Sequence, residues 1–390
     1  MRAQAACRVP ERTERNGGGM STATMAQDDL RSVFEGFQAW GDFGCAEPYG
    51  SGHINDTYRV RVSLAGTPAH YLLQRINHDI FKQPDGVMDN IVRVTGHLRA
   101  KLAGAADASR RTLTVIPARA DGRPWVRDPS GNWWRLYLFI EQAHTYDVIA
   151  HEGQAFEAAR AFARFQSLLA DLPAPRLHET IPAFHNTLSR LDALDAAMAA
   201  DAFGRKAEVA AEIAFVEARR ARCGHLLERH ACGDIPDRIT HNDTKINNVM
   251  LDDATGEGVC VIDLDTVMPG LALYDFGDMV RSATAASRED ERDLSKVGSR
   301  IGMFEALARG YLEGADFLLP AEREELVFSG PLITLTIGIR FLTDYLAGDV
   351  YFRTHRPGQN LDRCRVQFQM VRSMEEQAVA MEAIVRGVRR

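Results

Sequence analysis

His241-Asn242-Asp243-Thr244-Lys245-Ile246-Asn247-Asn248-Val249-Met250 is followed, after an acidic turn, by Val259-Cys260-Val261-Ile262-Asp263-Leu264-Asp265-Thr266. The first block has the pattern H-x-D-x-K-x-x-N. The second is an apolar run, rich in β-branched residues, that ends on an acid. Magnesium-dependent phosphoryl transfer requires such a set. It needs a carboxylate to orient the attacking hydroxyl and accept its proton, a cation for the γ-phosphate, and amide and carboxylate oxygens for the metal. Asp243 suits the first task, Lys245 the second, and Asn248 with Asp263 the third. As plain structure the same residues would be a polar turn ahead of a strand. Five matched positions, four in the loop and Asp263 at the end of a buried-type strand, are far more specific than a lone H-x-D.

The rest of the chain narrows the class. Its 390 residues allow two domains or a bilobal fold with a large core. A net charge of -7, with no basic block in the body of the chain, argues against nucleic acid as the main partner. No apolar run approaches the ~20 residues that span a bilayer, so no membrane partner is expected. The six cysteines are scattered and form no C-x-x-C; they read as reduced thiols of a cytoplasmic protein. Residues 1–25 mix Arg and Glu with Gly17-Gly18-Gly19 and lack an apolar signal core, so they are expected to form a disordered extension outside the fold.

Between the extension and the central stretch, the chain first reads as a sheet. Pro48 to Tyr58 is a loop between two strands, and its Gly50-Ser51-Gly52 would let backbone amides approach phosphate oxygens. Alone, G-S-G more often means a plain hairpin turn. Tyr71 to Asn77 is the next strand. It holds no lysine, so Arg75, or less favourably Gln74, is the available cradle for phosphate. The plain alternative is a solvent-facing strand arginine. Residues ~85–103 have helical spacing, and no Glu lies between Ile76 and Ser109 to pair with a strand cation; Asp89 is the nearest acid. Strands over Thr112–Pro117, Pro124–Arg127 and Trp133–Ile140 end at Glu141-Gln142, a hinge whose backbone would meet adenine.

Beyond Glu141 the pattern turns helical. Gln154–Leu169 is an amphipathic helix, and Thr180–Thr187 is a loop or cap whose His185 is either a structural polar group or a substrate contact. Two long helical stretches run from there to His230. Asp275-Phe276-Gly277 spells the letters of a kinase metal motif but opens a helix. Asp275 is better suited to capping that helix and tying the backbone of the 241–248 loop. Asp265 and Thr266 would lie on the lip of the site. Pro331 to Tyr351 reads as a long apolar helix whose Arg340 needs a partner: either Asp344, spaced for an i,i+4 ion pair and slightly favoured, or the substrate.

Gly52-His53-Ile54-Asn55-Asp56-Thr57, Leu73-Gln74-Arg75-Ile76-Asn77, His241 to Val249, Ile262 to Gly270 and Arg340 to Leu346 together resemble the aminoglycoside phosphotransferase and choline kinase superfamily. Within it they resemble most the bacterial N-acetylhexosamine 1-kinases, over about residues 40–370. That resemblance implies an α+β, protein-kinase-like bilobal fold, with a small antiparallel-sheet N-lobe (26–141) and a larger, mainly helical C-lobe (142–390). It implies ATP and Mg2+, and transfer of the γ-phosphate to the anomeric hydroxyl of N-acetylglucosamine or N-acetylgalactosamine. Asp243 would be the base and Asn248 and Asp263 the metal ligands, while Arg340 and Tyr351 would contact the sugar with Thr266 nearby. This reassigns Arg340 from an ion pair to the substrate. One alternative is a kinase of the same fold for another sugar, an amino alcohol or an aminoglycoside. Another is a non-catalytic nucleotide-binding protein, which would be expected to lack Asp243, Asn248 or Asp263. A protein kinase is disfavoured, because no A-P-E follows Asp263.

Overall fold

The computed structural model describes residues 25–50 and 54–388. The N-terminal extension up to residue 24, and Ser51 and Gly52 of the glycine loop, lie outside the described residues. The chain forms two compact units. One comprises the residues up to Val92 together with Leu113–Ile140; the other comprises Arg93–Thr112 and everything from Glu141 onward. The division at Ile140 falls beside the expected hinge. Residues 93–112, expected in the first lobe, group instead with the second unit.

The first unit is an antiparallel sheet with a helix on one face. Helix α1 (Gln27–Glu35) precedes β1 (Asp42–Pro48), β2 (Asp56–Leu64) and β3 (Thr67–Ile76). After helix α2 (Pro84–Leu102), which passes from this unit into the next, come β4 (Val115–Ile116), β5 (Val126–Arg127) and β6 (Trp133–Leu138). The order across the sheet is β1-β2-β3-β6-β4, with β5 also on β6. β2 and β3 turn on Ala65-Gly66, where φ is 49° and 90°, a two-residue turn whose twist matches that of the paired strands. Period-two alternation buries Tyr58, Val60 and Val62 of β2 with Tyr71, Leu73, Trp134 and Leu136, under Leu30, Phe34 and Phe37. Arg59 and Arg61 take the opposite parity.

The second unit is mainly helical, with short strands around the 241–248 loop. Its elements are β7 (Ala143–His144), α3 (Glu152–Leu169), α4 (Thr187–Ala200), α5 (Ala210–Glu217), α6 (His225–Ala231), β8 (Arg238–Thr240), β9 (Val249–Asp252), β10 (Gly258–Val261), β11 (Met268–Gly270), α7 (Ala272–Ala283), α8 (Ile301–Gly314), α9 (Pro320–Glu324), α10 (Leu326–Leu346), α11 (Gln359–Glu376) and α12 (Ala378–Gly387). The strands pair as β10-β9-β7 and as β11-β8. The stretch expected as two long helices up to His230 is three shorter ones: Asp201 and Gly204, with φ of 36° and 64°, separate α4 from α5, and a short 3-10 turn at Arg220–Arg222 separates α5 from α6.

Helix α10 starts five residues before the expected Pro331 and ends at Leu346, so Tyr351 lies in the loop beyond it. Among the described residues it is long and apolar enough to suit a bilayer, which the sequence reading did not foresee. Of its most apolar window, 72% is buried inside the protein, as in a core helix. It packs on α7 and α11. Gly277 allows the closest approach: a Cβ there would lie 2.5 Å from the Ser329 carbonyl oxygen.

Candidate active site

The loop from His241 to Asn248 joins β8 to β9, and residues 262–267 join β10 to β11. One main-chain bond and one from an imidazole bind the two connections together. Ile262 N–H donates to the Asn248 carbonyl at 2.9 Å, and its own carbonyl accepts from His241 Nε2 at 2.8 Å. Asp263 follows at once, in the left-handed region with φ 59°, and its side chain is exposed. The backbone of Asp263 is thus set against Asn248 by the residue before it.

The Asp243 carboxylate is held on both oxygens. Lys245 Nζ lies 2.7 Å from Oδ1, and Asn248 Nδ2 donates to Oδ2 at 3.1 Å and to the Asp243 carbonyl at 2.8 Å. Burial opposes the Lys245 charge, but the Asp243 and Asp278 carboxylates outweigh it and hold the ammonium above its usual pKa. Because the Asn248 amide N–H groups face Asp243, its side-chain oxygen is the atom it can offer a cation. That oxygen and the exposed Asp263 carboxylate are hard donors, the kind a magnesium ion takes.

A buried scaffold beneath the loop fixes its backbone. Asn242 has a φ of 66°, a conformation that costs a non-glycine residue about 1 kcal/mol or more. Its N–H donates to Asp275 Oδ1 at 2.7 Å, and that of His241 to Asp275 Oδ2 at 2.8 Å. Gln166 Nε2 donates to the same Oδ2 at 2.6 Å, and Gln166 Oε1 accepts from the Tyr311 hydroxyl at 2.6 Å. Asp278 Oδ2 accepts the Thr244 N–H at 3.0 Å while Oδ1 pairs with Arg281 at 2.8 Å. The D-F-G letters are therefore structural: Asp275 ties the loop, Phe276 fills the core and Gly277 admits α10. The expected capping role fails, because Leu271 is the N-cap of α7 and Asp275 lies inside the first turn.

Asp265 and Thr266 do not line a lip. Both are buried. Thr266 Oγ1–H donates to the His241 carbonyl at 2.7 Å, and its own carbonyl accepts from Asn242 Nδ2 at 2.9 Å. Thr266 therefore braces the 241–248 loop from beneath.

Arg340 and Asp344 do not pair either. Asp344 Oδ1 accepts the N–H groups of Val350 and Tyr351 at 2.9 and 2.8 Å. Its Oδ2 accepts those of Phe352 at 2.9 Å and of Asn360 Nδ2 at 2.8 Å. Spacing alone misses this, since the acid near a helix end serves the amides of the next loop. The Arg340 guanidinium instead lies 5.3–5.6 Å from the ring centres of Phe184, Tyr351 and Phe352. Its Nη2 is 3.4 Å from the Tyr351 hydroxyl. Tyr351 is 66% exposed. Nearby, Arg190 donates to the Ala183 and Phe184 carbonyls at 3.1 and 2.9 Å. Among the described residues neither arginine has a carboxylate within 4.0 Å.

Arg75 finds its acid on the neighbouring strand and not on α2: its Nε donates to Asp56 Oδ2 at 2.7 Å. Parity explains this: Arg75 lies on the sheet face of Tyr71 and Leu73, whereas Gln74 lies on the other. Opposite Gln74 in the register is Arg135 of β6, which donates to Gln74 Oε1 at 3.0 Å and is 1% exposed. This basic residue was missed; the signal was a lone arginine inside an otherwise apolar strand. Gly50 has a φ of 82° and open space where a Cβ would stand. At Glu141 the backbone carbonyl accepts from Arg110 Nε at 3.2 Å, and the same guanidinium pairs with Asp252 at 2.9 Å.

The antiparallel-sheet unit, the helical unit and the residues of this loop define a protein-kinase-like small-molecule phosphotransferase. Residues 46–324 match the family described as the APH phosphotransferase enzyme family, and the chain belongs to it. Among solved structures, a microcompartment-associated aminopropanol kinase aligns at 18% identity over 90% of this chain and 98% of its own, with a TM-score of 0.58. An aminoglycoside phosphotransferase from Alicyclobacillus acidocaldarius aligns at 13% identity over 95% and 98%, also with a TM-score of 0.58. A spectinomycin phosphotransferase bound to ADP and spectinomycin aligns at 13% identity over 92% and 99%, with a TM-score of 0.52. At these identities the likeness is one of fold.

Proposed function

We propose that this protein is an ATP-dependent kinase that phosphorylates the anomeric hydroxyl of an N-acetylhexosamine. The observation that carries the acceptor class is Arg340. A cationic acceptor calls for carboxylates or an unoccupied aromatic cage. Here the aromatic rings hold a guanidinium, and Arg190 adds a second positive charge; among the described residues neither has a carboxylate within 4.0 Å. Such a site suits a neutral, oxygen-rich acceptor whose hydroxyl or acyl oxygens accept hydrogen bonds, and it repels amines.

The chemistry is mainly positioning and charge neutralisation. The acceptor hydroxyl is oriented by Asp243. As its oxygen bonds to the γ-phosphorus, the bond from that phosphorus to the β–γ bridging oxygen breaks, ADP leaves, and the hydroxyl proton passes to the Asp243 carboxylate. Lys245 supplies positive charge next to the reacting oxygen. Asn248 and Asp263 would hold magnesium, which when bound offsets the charge of the nucleotide phosphates.

The test is an ADP-release assay with ATP and magnesium over N-acetylglucosamine, N-acetylgalactosamine, glucose, galactose, choline, 1-amino-2-propanol and an aminoglycoside, with phosphorus NMR of any product. Turnover on the N-acetylhexosamines with a phosphate coupled to H1 is expected. Turnover confined to the amines would sink the acceptor assignment and leave the phosphotransferase standing.

A further inference from the structure

We propose that His185 is a positioning residue for phosphoryl transfer, holding the peptide that precedes Asp243 in register with the acceptor-binding group Arg340. The proposal rests on the roles given above to Asp243 and Arg340.

His185 is 4% exposed, and its Nε2 lies 2.8 Å from the Asn242 carbonyl oxygen. A carbonyl only accepts, so Nε2 carries the hydrogen and Nδ1 is the lone-pair nitrogen. Nδ1 is buried with no hydrogen-bond partner. The bond to Asn242 is therefore the one the ring makes among the described residues. Burial pushes the imidazole pKa down to about 4, so the ring stays neutral, in one tautomer, at any ordinary assay pH.

The peptide it holds is the strained one. Asn242 sits at φ 66°. Asp275 fixes its N–H, Thr240 and Thr266 take its side chain, and His185 fixes its carbonyl. The N–H on the other side of the 242–243 peptide, that of Asp243, donates to His241 Nδ1 at 3.3 Å, so without the His185 bond this peptide is restrained from one side only. A rotation there would swing the Asp243 carboxylate with it.

The other end of the segment is anchored to α10. The Phe184 ring lies under the Arg340 guanidinium at 5.5 Å. Asn186 caps α4 through the Ser189 N–H at 3.1 Å. Thr187 Oγ1 meets Thr336 Oγ1 at 2.7 Å, one helical turn before Arg340. Residues 184–187 therefore span from the helix bearing Arg340 to the residue before the base. Two adjacent side chains connect the group that would hold the acceptor to the group that would take its proton.

The experiment compares His185→Gln, His185→Asn and His185→Leu in the full-length protein. The Gln side-chain amide reproduces the position of imidazole Nε2, that of Asn reproduces Nδ1, and Leu offers no donor. For each, kcat, KM for ATP, KM for whichever acceptor the panel identifies, and Tm are measured. Expected is a fall in kcat of ~10–100-fold for Asn and Leu, the scale of a misplacement near 1 Å, with KM for ATP little changed and most of kcat restored in Gln. If the Leu variant does not fold, the contrast between Gln and Asn at matched Tm decides. Equal kcat in Gln and Asn, or kcat that merely follows Tm across the set, would overturn the proposal. Full turnover of Asp243→Asn would instead overturn the assignment of the base, and this inference with it.

Discussion

The Asp275 carboxylate lies 2.7 Å from the backbone nitrogen of Asn242, the residue before the proposed base. A side chain inside α7 thus orients a loop 33 positions earlier in the chain. An amide at this position would present one oxygen where two are used and turn its NH2 toward another N–H. Asp275→Asn is expected to lower kcat ~10–100-fold and stability by about 2–4 kcal/mol, since a buried acceptor pair is broken. Steady-state kinetics with chemical denaturation checks both.

The same carboxyl predicts a pH response. Burial raises it from 3.8 to about 6, against the opposing effect of the loop N–H groups. The folded state then binds the proton more tightly than the unfolded one. This group's contribution to stability is complete below the unfolded value and is lost as the pH rises through 6. Its hydrogen bonds to the loop need the ionised form. The expected outcome is an acid limb in kcat near pH 6 without a matching fall in Tm from this group. Profiles of wild type and Asp275→Asn are compared; a limb that persists unchanged in the variant assigns it elsewhere.

Arg340→Ala should raise the acceptor KM ~10–100-fold, the worth of one charge-assisted hydrogen bond, and leave KM for ATP unchanged. A variant with normal acceptor KM and a lowered Tm would mean that Arg340 serves only to pack against Phe184, Tyr351 and Phe352.

Asp344→Ala removes the acceptor for three successive backbone N–H groups. Acceptor KM is expected to rise as in the Arg340 variant, and stability to fall by about 1–3 kcal/mol, because three backbone N–H groups and the buried Asn360 amide lose their acceptor. Amide hydrogen exchange at residues 350–352 reports the release directly.

Gly277→Ala places a methyl 2.5 Å from the Ser329 carbonyl oxygen and 2.8 Å from Ile333 Cγ1. Overpacking of this kind costs ~1–3 kcal/mol. A lower Tm with kcat retained at low temperature is expected, since Gly277 touches the helix crossing and not the loop.

Much of this was legible in the chain because the loop residues carry chemistry at fixed spacing. Asp243, Lys245 and Asn248 are adjacent in sequence and remain so in space. The sheet strands and α2, α3 and α10 follow from hydrophobic period. The misses share one cause: each turned on a partner distant in sequence or on parity. Arg75 and Gln74 differ by one position, yet the sheet sends them to opposite faces, and the cross-strand Arg135 is 61 residues from Gln74. Arg340 and Asp344 have ion-pair spacing, but the acid faces amides that follow a turn with φ of 94° at Gly348 and 61° at Asp349. His185 stood undecided between structure and substrate until the Asn242 carbonyl appeared opposite it.

Asp344 also bears on how this enzyme could change. With its carboxylate committed to the main chain of residues 350–352, the path of the backbone under Tyr351 does not depend on the Tyr351 side chain, which is 66% exposed. In the proposed acceptor site, a substitution at 351 would therefore change the surface offered to the acceptor without rebuilding the loop beneath it.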